Sequence, residues 1–382
     1  MHIYDHLVEL RRDFHREPEL AFQEEKTAAR IIAELERLGV PFEYGGPGTG
    51  VVGSLTGNRD GPIVALRADM DALPGAENTD LPFASRFEDR MHACGHDAHM
   101  AMLLGACELL ADDPPAGTTL FVFQPAEEKG GGSRVVLASG ALDNVDAIFG
   151  GHVTHHYKVG QMMVSKGVIT AQSDRFSVSI RGRGGHGARP HEAIDAVVIS
   201  SLFVAVTQTL VSRYVNPVHP SVVTVGTVRA GTAANVIAEE AHLEGSIRST
   251  VPEVRERLHE GLHRIADSFA ELFAADVALT ITGGYPPVVN TGLEAKIATR
   301  AAQKVLGPEG LIPLDHPSMG SEDFSFYLQE FPGCYVRFGA RKSEDGYIPL
   351  HSPSFDIDEG VLAVGATFFD EVTREAMRAY GE

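Results

Sequence analysis

Ile63-Val64-Ala65-Leu66-Arg67-Ala68-Asp69-Met70 is an apolar run that turns polar at its end, and it decides the fold class. Thr118 to Gln124 and Ala147 to Gly150 have the same form. Between them lie helical stretches, notably 97–112 and about 132–140. Buried strands alternating with helices imply a largely parallel sheet covered on both faces. In such sheets ligands sit beyond the carboxyl ends of the strands. Asp69, the Glu127-Glu128 pair and His152, each just past one of these runs, are therefore expected to converge.

The chain opens helically, with Leu7, Leu10 and Phe14 at near-helical spacing. A second helix runs from Thr27 to Leu38 and stops at Gly39, a C-terminal cap. The middle changes character. Asp174 to Arg183 alternates like a half-buried strand, then comes a Gly-rich turn (Gly182 to Gly187) and an apolar helix from about Ile194 to Val211. Strands at 221–229 and 240–248, a helix at 252–274 and a strand near 276–282 follow. This strand–helix–strand–strand–helix–strand order suits a small α+β domain with its helices on one face. A helix at 292–306, a strand at 335–339 and a helix at 359–379 resume the α/β pattern. The expectation is one domain inserted in another: 1–171 with 286–382, and 172–285 between them.

Composition excludes several classes. A formal charge of −20 over 382 residues argues against nucleic acid or an anionic membrane as partner, since both require clustered cations. No uninterrupted apolar run approaches the roughly 20 residues that span a bilayer, and the N-terminus lacks a signal-peptide pattern. With only Cys94, Cys107 and Cys334 there is no disulfide framework, which favours a reducing cytoplasm.

Residues 92–99 read His-Ala-Cys-Gly-His-Asp-Ala-His, followed downstream by Glu127-Glu128 and His152. Thiolate, imidazole and carboxylate together suit a transition-metal site. Leaving a strand, adjacent residues point in different directions, so one glutamate can bind metal while the other takes a proton from water. Spacing alone leaves Cys94-x-His96 open between ligand pair and coincidence. It does not recruit His351, in Leu-His-Ser-Pro, at all. His99 and His92 read as packed or local histidines, Cys107 and Cys334 as core, and His15 and Arg16 as exposed helix residues. The glycine cluster 182–187 lacks the Lys-Ser/Thr of a phosphate cradle.

The motifs together resemble the M20 metallopeptidase family, in the amidohydrolase branch that contains hippurate hydrolases and auxin–amino acid conjugate hydrolases. The matching segments are Arg11-Arg12-Asp13-Phe14-His15 with Pro18-Glu19-Leu20, Arg67 to Pro74, Met91 to Asp97, and Gln124-Pro125-Ala126-Glu127-Glu128. Gly182 to Ala188, Gly320-Ser321-Glu322-Asp323-Phe324 and His351-Ser352-Pro353 complete them. The resemblance implies a zinc-peptidase-like catalytic domain with a mixed, mostly parallel sheet, plus an inserted ferredoxin-like α+β domain for dimerisation and closure.

It further implies two divalent ions (zinc, manganese, cobalt or nickel) held by Cys94, His96, Glu128, His152 and His351, with Cys94 bridging. Glu127 would be general base and then proton donor, and Asp69 would orient a ligand. His186 would reach the partner subunit's site and stabilise the oxyanion, while Asn235 and Arg248 would hold the substrate carboxylate. The implied activity is hydrolysis of N-acyl amino acids by a cytoplasmic homodimer joined through the inserted domain. Three departures bear on specificity: Ala238 where proline is usual, Ser352 where asparagine is common, and His155-His156 where prolines are typical. The rivals are a dipeptidase or aminopeptidase on the same scaffold, a thiol hydrolase using Cys94 as nucleophile, and a binding protein without turnover.

Overall fold

The structure, a computed structural model, describes residues 3–46, 48–342 and 346–381. The chain divides into two compact units. The first comprises Met1–Ile169, Val288–His316 and Asp323–Glu382; the second, Thr170–Pro287 with Pro317–Glu322.

The first unit is built on an eight-stranded sheet in the order 42–44, 51–56, 118–124, 63–69, 147–158, 333–341, 162–163, 311–312. The four long central strands are parallel to one another, with Val64 opposite both Thr119 and Ala147, and Gly150 opposite Tyr335. The outer pairings at 42–44, 51–56 and 162–163 include antiparallel ones, so the sheet is mixed and mostly parallel. Strand Ile63–Asp69 is buried on both faces, as a continuous apolar run requires.

Helices Ile3–Arg16, His96–Asp112, Gly292–Leu306 and Val361–Gly381 share a core with one face, through Leu7, Leu103, Ile297 and Phe368. The other face is filled by Val136, Phe324 and Tyr327, from the short helices Gly132–Ala138 and Phe324–Glu330.

The third apolar run is longer than its sequence suggested. Strand Ala147–Lys158 continues past Gly150, so His152 lies within it rather than beyond its end. Glycines conceal the strand: a Cβ at Gly150 would lie 2.8 Å from the Phe324 ring, and one at Gly151 2.5 Å from that of Phe338. The absent side chains make room for aromatic rings, and the strand carries on.

The second unit is an antiparallel four-stranded sheet in the order 221–230, 240–249, 172–181, 276–283. Helices Ala196–Thr209 and Pro252–Phe273 pack on one face through Phe203, Leu258, Leu262 and Phe269. The helix at 196 runs on through a π-helical turn at Leu210–Tyr214. This helical stretch of 19 residues is apolar enough by length and composition to cross a membrane, and only 33% of its most apolar 18 residues are buried. The sequence expectation of no such run counted unbroken apolar residues; here interspersed Ser and Thr close hydrogen bonds within the helix, Thr207 to the Phe203 carbonyl among them.

Candidate active site

The side chains expected to converge do so within the first unit. Donor atoms of Cys94, His96 and His152 lie within 4.8 Å of one another, and so do those of Cys94, Glu128 and His351. Cys94 is common to both groups. A third group, His96 with Glu127 and Glu128, brings in the second glutamate.

Local backbone chemistry aims each donor. Gly95 takes φ +94° between the two ligand candidates and opens the helix at His96. Its missing Cβ leaves space for Val153, whose Cγ2 would otherwise be 2.3 Å away. His96 Nδ1 lies 2.8 Å from the Asp71 carbonyl, and His152 Nδ1 lies 2.7 Å from the Val153 carbonyl. A carbonyl can only accept, so both rings carry a proton on Nδ1 and turn Nε2 inward. His152 Nε2 sits 3.3 Å from Cys94 Sγ. His96 Nε2 is buried without a hydrogen-bond partner.

His351 arrives from a distant loop. Its own N–H donates to the Ala93 carbonyl at 2.8 Å, and its backbone is left-handed, φ +67°. Its Nε2 then lies 3.2 Å from Glu128 Oε1, as an ion pair when the ring is protonated.

The electrostatics ask for cations. Burial, joined by the nearby carboxylates of Glu128, Glu127 and Asp69, pushes the Cys94 thiol well above its ordinary value. Burial opposes charge on His96, yet Asp69 and Asp71 hold its imidazolium up to about 10. Burial likewise opposes charge on Glu128, while His351 and His96 hold it below the usual carboxylate range. A buried thiol among acids becomes a thiolate only beside compensating positive charge. An orphaned Nε2 atom, a crowded thiol and excess carboxylate fit divalent metal.

Asp69 stands behind this cluster. It accepts from His99 Nδ1 at 2.6 Å and from Arg67 at 2.7 Å, and lies 3.7 Å from His96 Nε2. His99 Nε2 accepts the Val153 N–H at 3.0 Å, so this histidine is occupied at both nitrogens and offers no lone pair to an ion.

Sequence reasoning missed several contributors. Asp71 accepts the backbone N–H groups of both Glu127 and Glu128, each at 3.0 Å. His15, expected on the surface, is fully buried and lies 2.8 Å from Asp97 and 3.1 Å from Glu77. It shares the inward stripe of its helix with Leu7, Arg11 and Phe14. Arg11, also buried, binds Asp97, Asp356 and Glu359. The stripe's spacing was the available signal. His155 accepts the Ile348 N–H at 3.2 Å and stacks on Phe355, bracing the loop that carries His351.

The three remaining candidates belong to the second unit. His186 is exposed on the short strand Gly185–His186, with its Nδ1 accepting the Ala188 N–H. Asn235 is its neighbour, its carbonyl accepting the Gly187 N–H at 2.9 Å. Arg248 is half-buried on strand Glu240–Ser249 and donates to the Met319 carbonyl at 2.7 Å.

Comparison with known proteins agrees with this chemistry. The chain is 39% identical over 371 residues to thermostable carboxypeptidase 1 of Saccharolobus solfataricus, covering 95% of this chain and 93% of that protein. It is 38% identical over 373 residues to an N-acetylcysteine deacetylase of Bacillus subtilis, covering 96% and 95%. A solved Bacillus subtilis structure described as a dinuclear metal-binding peptidase of the M20 family superposes with a TM-score of 0.84 at 34% identity, covering 98% and 99%. The sequence model of peptidase family M20/M25/M40 matches residues 65–375, most of the chain. The chain is a metal-dependent hydrolase belonging to peptidase family M20/M25/M40.

Proposed function

We propose that this hydrolase cleaves the amide bond of N-acyl amino acids, N-acetyl, N-benzoyl or similar, to a carboxylic acid and a free amino acid. In this reading two divalent ions (zinc, manganese, cobalt or nickel) are held by Cys94, His96, Glu128, His152 and His351. The observation that carries it is the Cys94 sulfur, common to two donor groups, with Glu127 beside both glutamate and imidazole donors. Ions bound there supply Lewis acidity and lower the pKa of water from about 15.7 toward about 7. Glu127 accepts the proton of the attacking water on a carboxylate oxygen and passes it to the departing amine nitrogen. Glu128, one residue on, stays a ligand. Asp69 fixes the second layer through His99 and Arg67.

The substrate's α-carboxylate pairs with Arg248 and the Asn235 amide, and His186 of the opposing subunit donates to the oxyanion. A homodimer through the second unit is supported by the outward side chains of Val197, Val198, Leu202 and Val206. The edge strand Ser221–Ala230 adds exposed Val222 and Val228. Three free, buried cysteines suit a reducing cytoplasm. The N-acetylcysteine deacetylase among its relatives favours an acylated amino acid over a dipeptide with a free ammonium group.

Elemental analysis of purified protein, then an N-acyl amino acid screen with each divalent ion added back, tests the reading. Metal-dependent release of free amino acid is expected. Cleavage of glycyl dipeptides with N-acyl amino acids left intact overturns it in favour of a dipeptidase. Activity that survives complete chelation but not alkylation points instead to Cys94 as nucleophile.

A further inference from the structure

We infer that Glu24 is a positioning residue for hydrolysis: with the Asp71 carboxylate beside it, its buried carboxylate grips three consecutive backbone N–H groups at 126–128 and so sets the directions of the Glu127 and Glu128 side chains. The inference rests on the reading of Glu127 as proton acceptor.

Adjacent residues that must serve different tasks need a backbone that cannot swivel. Ala126 is left-handed, φ +53°, a conformation that is strained for a residue other than glycine. Something must hold it. The Ala126 N–H donates to Glu24 Oε1 at 2.9 Å, the Glu127 N–H to Asp71 Oδ1 and the Glu128 N–H to Asp71 Oδ2, both at 3.0 Å. Three successive N–H groups form a concave nest that favours anions, and here two side chains of the same unit fill it. The turn closes behind them, with the Gly132 N–H on the Ala126 carbonyl at 3.1 Å.

Among the described residues, no cation pairs with Glu24. It is wholly buried just before helix Glu25–Arg37, and its second oxygen takes the Thr49 hydroxyl at 2.6 Å. Burial raises its pKa, with Asp71 adding repulsion, so the site bears a standing cost for keeping it. Asp71 does double duty: its carboxylate holds the glutamate turn while its carbonyl orients His96. One residue thus locks a ligand and the proton acceptor in one frame. A misplacement of about 1 Å in such a frame can cost about a hundredfold in rate.

The test compares wild type, Glu24→Gln, Glu24→Leu and Thr49→Val for kcat and KM on N-acetyl-L-methionine, and for metal per chain by elemental analysis. Glu24→Gln keeps an acceptor for the Ala126 N–H and should stay within about threefold of wild-type kcat. Glu24→Leu removes it and should lower kcat about tenfold to a hundredfold, with KM and bound metal unchanged within about twofold. Wild-type kcat in Glu24→Leu overturns the inference, as does a parallel loss of metal and kcat. Should Glu24→Leu fail to fold, Thr49→Val, which only loosens the Glu24 carboxylate, is expected to lower kcat severalfold at constant KM; no change there overturns it equally. Failure of the hydrolytic reading itself would show in the wild type, as metal bound without turnover.

Discussion

His351 Nε2 lies 3.2 Å from Glu128 Oε1, although the two residues stand on segments that sequence spacing never connects. The contact is made by backbone: the His351 N–H is tied to the carbonyl of Ala93, the residue before Cys94. Removing the imidazole therefore removes a donor without disturbing the tie. His351→Ala should retain the fold, measured by an unchanged far-ultraviolet circular dichroism spectrum and thermal transition. It should lose one of the two proposed ions in elemental analysis. Full metal occupancy in this variant would remove His351 from the ligand set.

The two glutamates should separate cleanly. Glu127→Gln keeps its backbone N–H on Asp71 and leaves every side chain grouped with Cys94 unaltered. Bound metal should stay while kcat drops about a hundredfold or more. Glu128→Gln should instead lose metal, because a neutral amide replaces a charged donor. The opposite pattern would mean that the roles are exchanged.

How much of this was legible follows from the kind of residue concerned. Ile63–Asp69 and Thr118–Gln124 read correctly because strands covered on both faces are continuously apolar. The ordered motifs around Cys94, Glu127 and His351 carried the candidate ligands through resemblance, and the structure brings those side chains together. Polar residues serving polar residues were not legible. His15 looks like any helix histidine until Asp97, from another helix, is seen beside it. Nothing in the sequence around Glu24 says that its partner is the N–H of Ala126. Local sequence encodes periodicity; it does not encode which buried charges meet.

The buried network around His15 predicts a pH effect with a definite sign. Burial opposes its charge, but Asp97 and Glu77 raise its pKa from 6.5 to about 9. A raised pKa means stability fully present below about 6.5 and lost as pH climbs through about 9. The shift corresponds to on the order of 3 kcal/mol. His15→Gln should therefore be less stable than wild type at pH 6, and the gap should close between pH 6.5 and about 9. Denaturant unfolding across that range measures it. A gap independent of pH would mean that His15 contributes packing rather than charge.

The proposed dimer through the second unit predicts complementation between defective chains. Val197, Val198, Leu202 and Val206 form an exposed apolar face on helix Ala196–Thr209, and burying such a face on a second copy removes it from water at about 25 cal/mol per Å². Leu202→Asp with Val206→Asp places charges there and should yield monomers by analytical ultracentrifugation. If His186 acts across the interface, those monomers bind metal normally yet hydrolyse poorly. Mixing is the sharper measurement. Glu127→Gln and His186→Ala homodimers should each be nearly inactive, but in a heterodimer one site combines an intact Glu127 with an intact His186 from the opposite chain. Coexpression or subunit exchange should then restore a substantial part of wild-type activity, up to one working site in two per heterodimer. Mixtures that exchange subunits and stay inactive would place His186 in the site of its own chain.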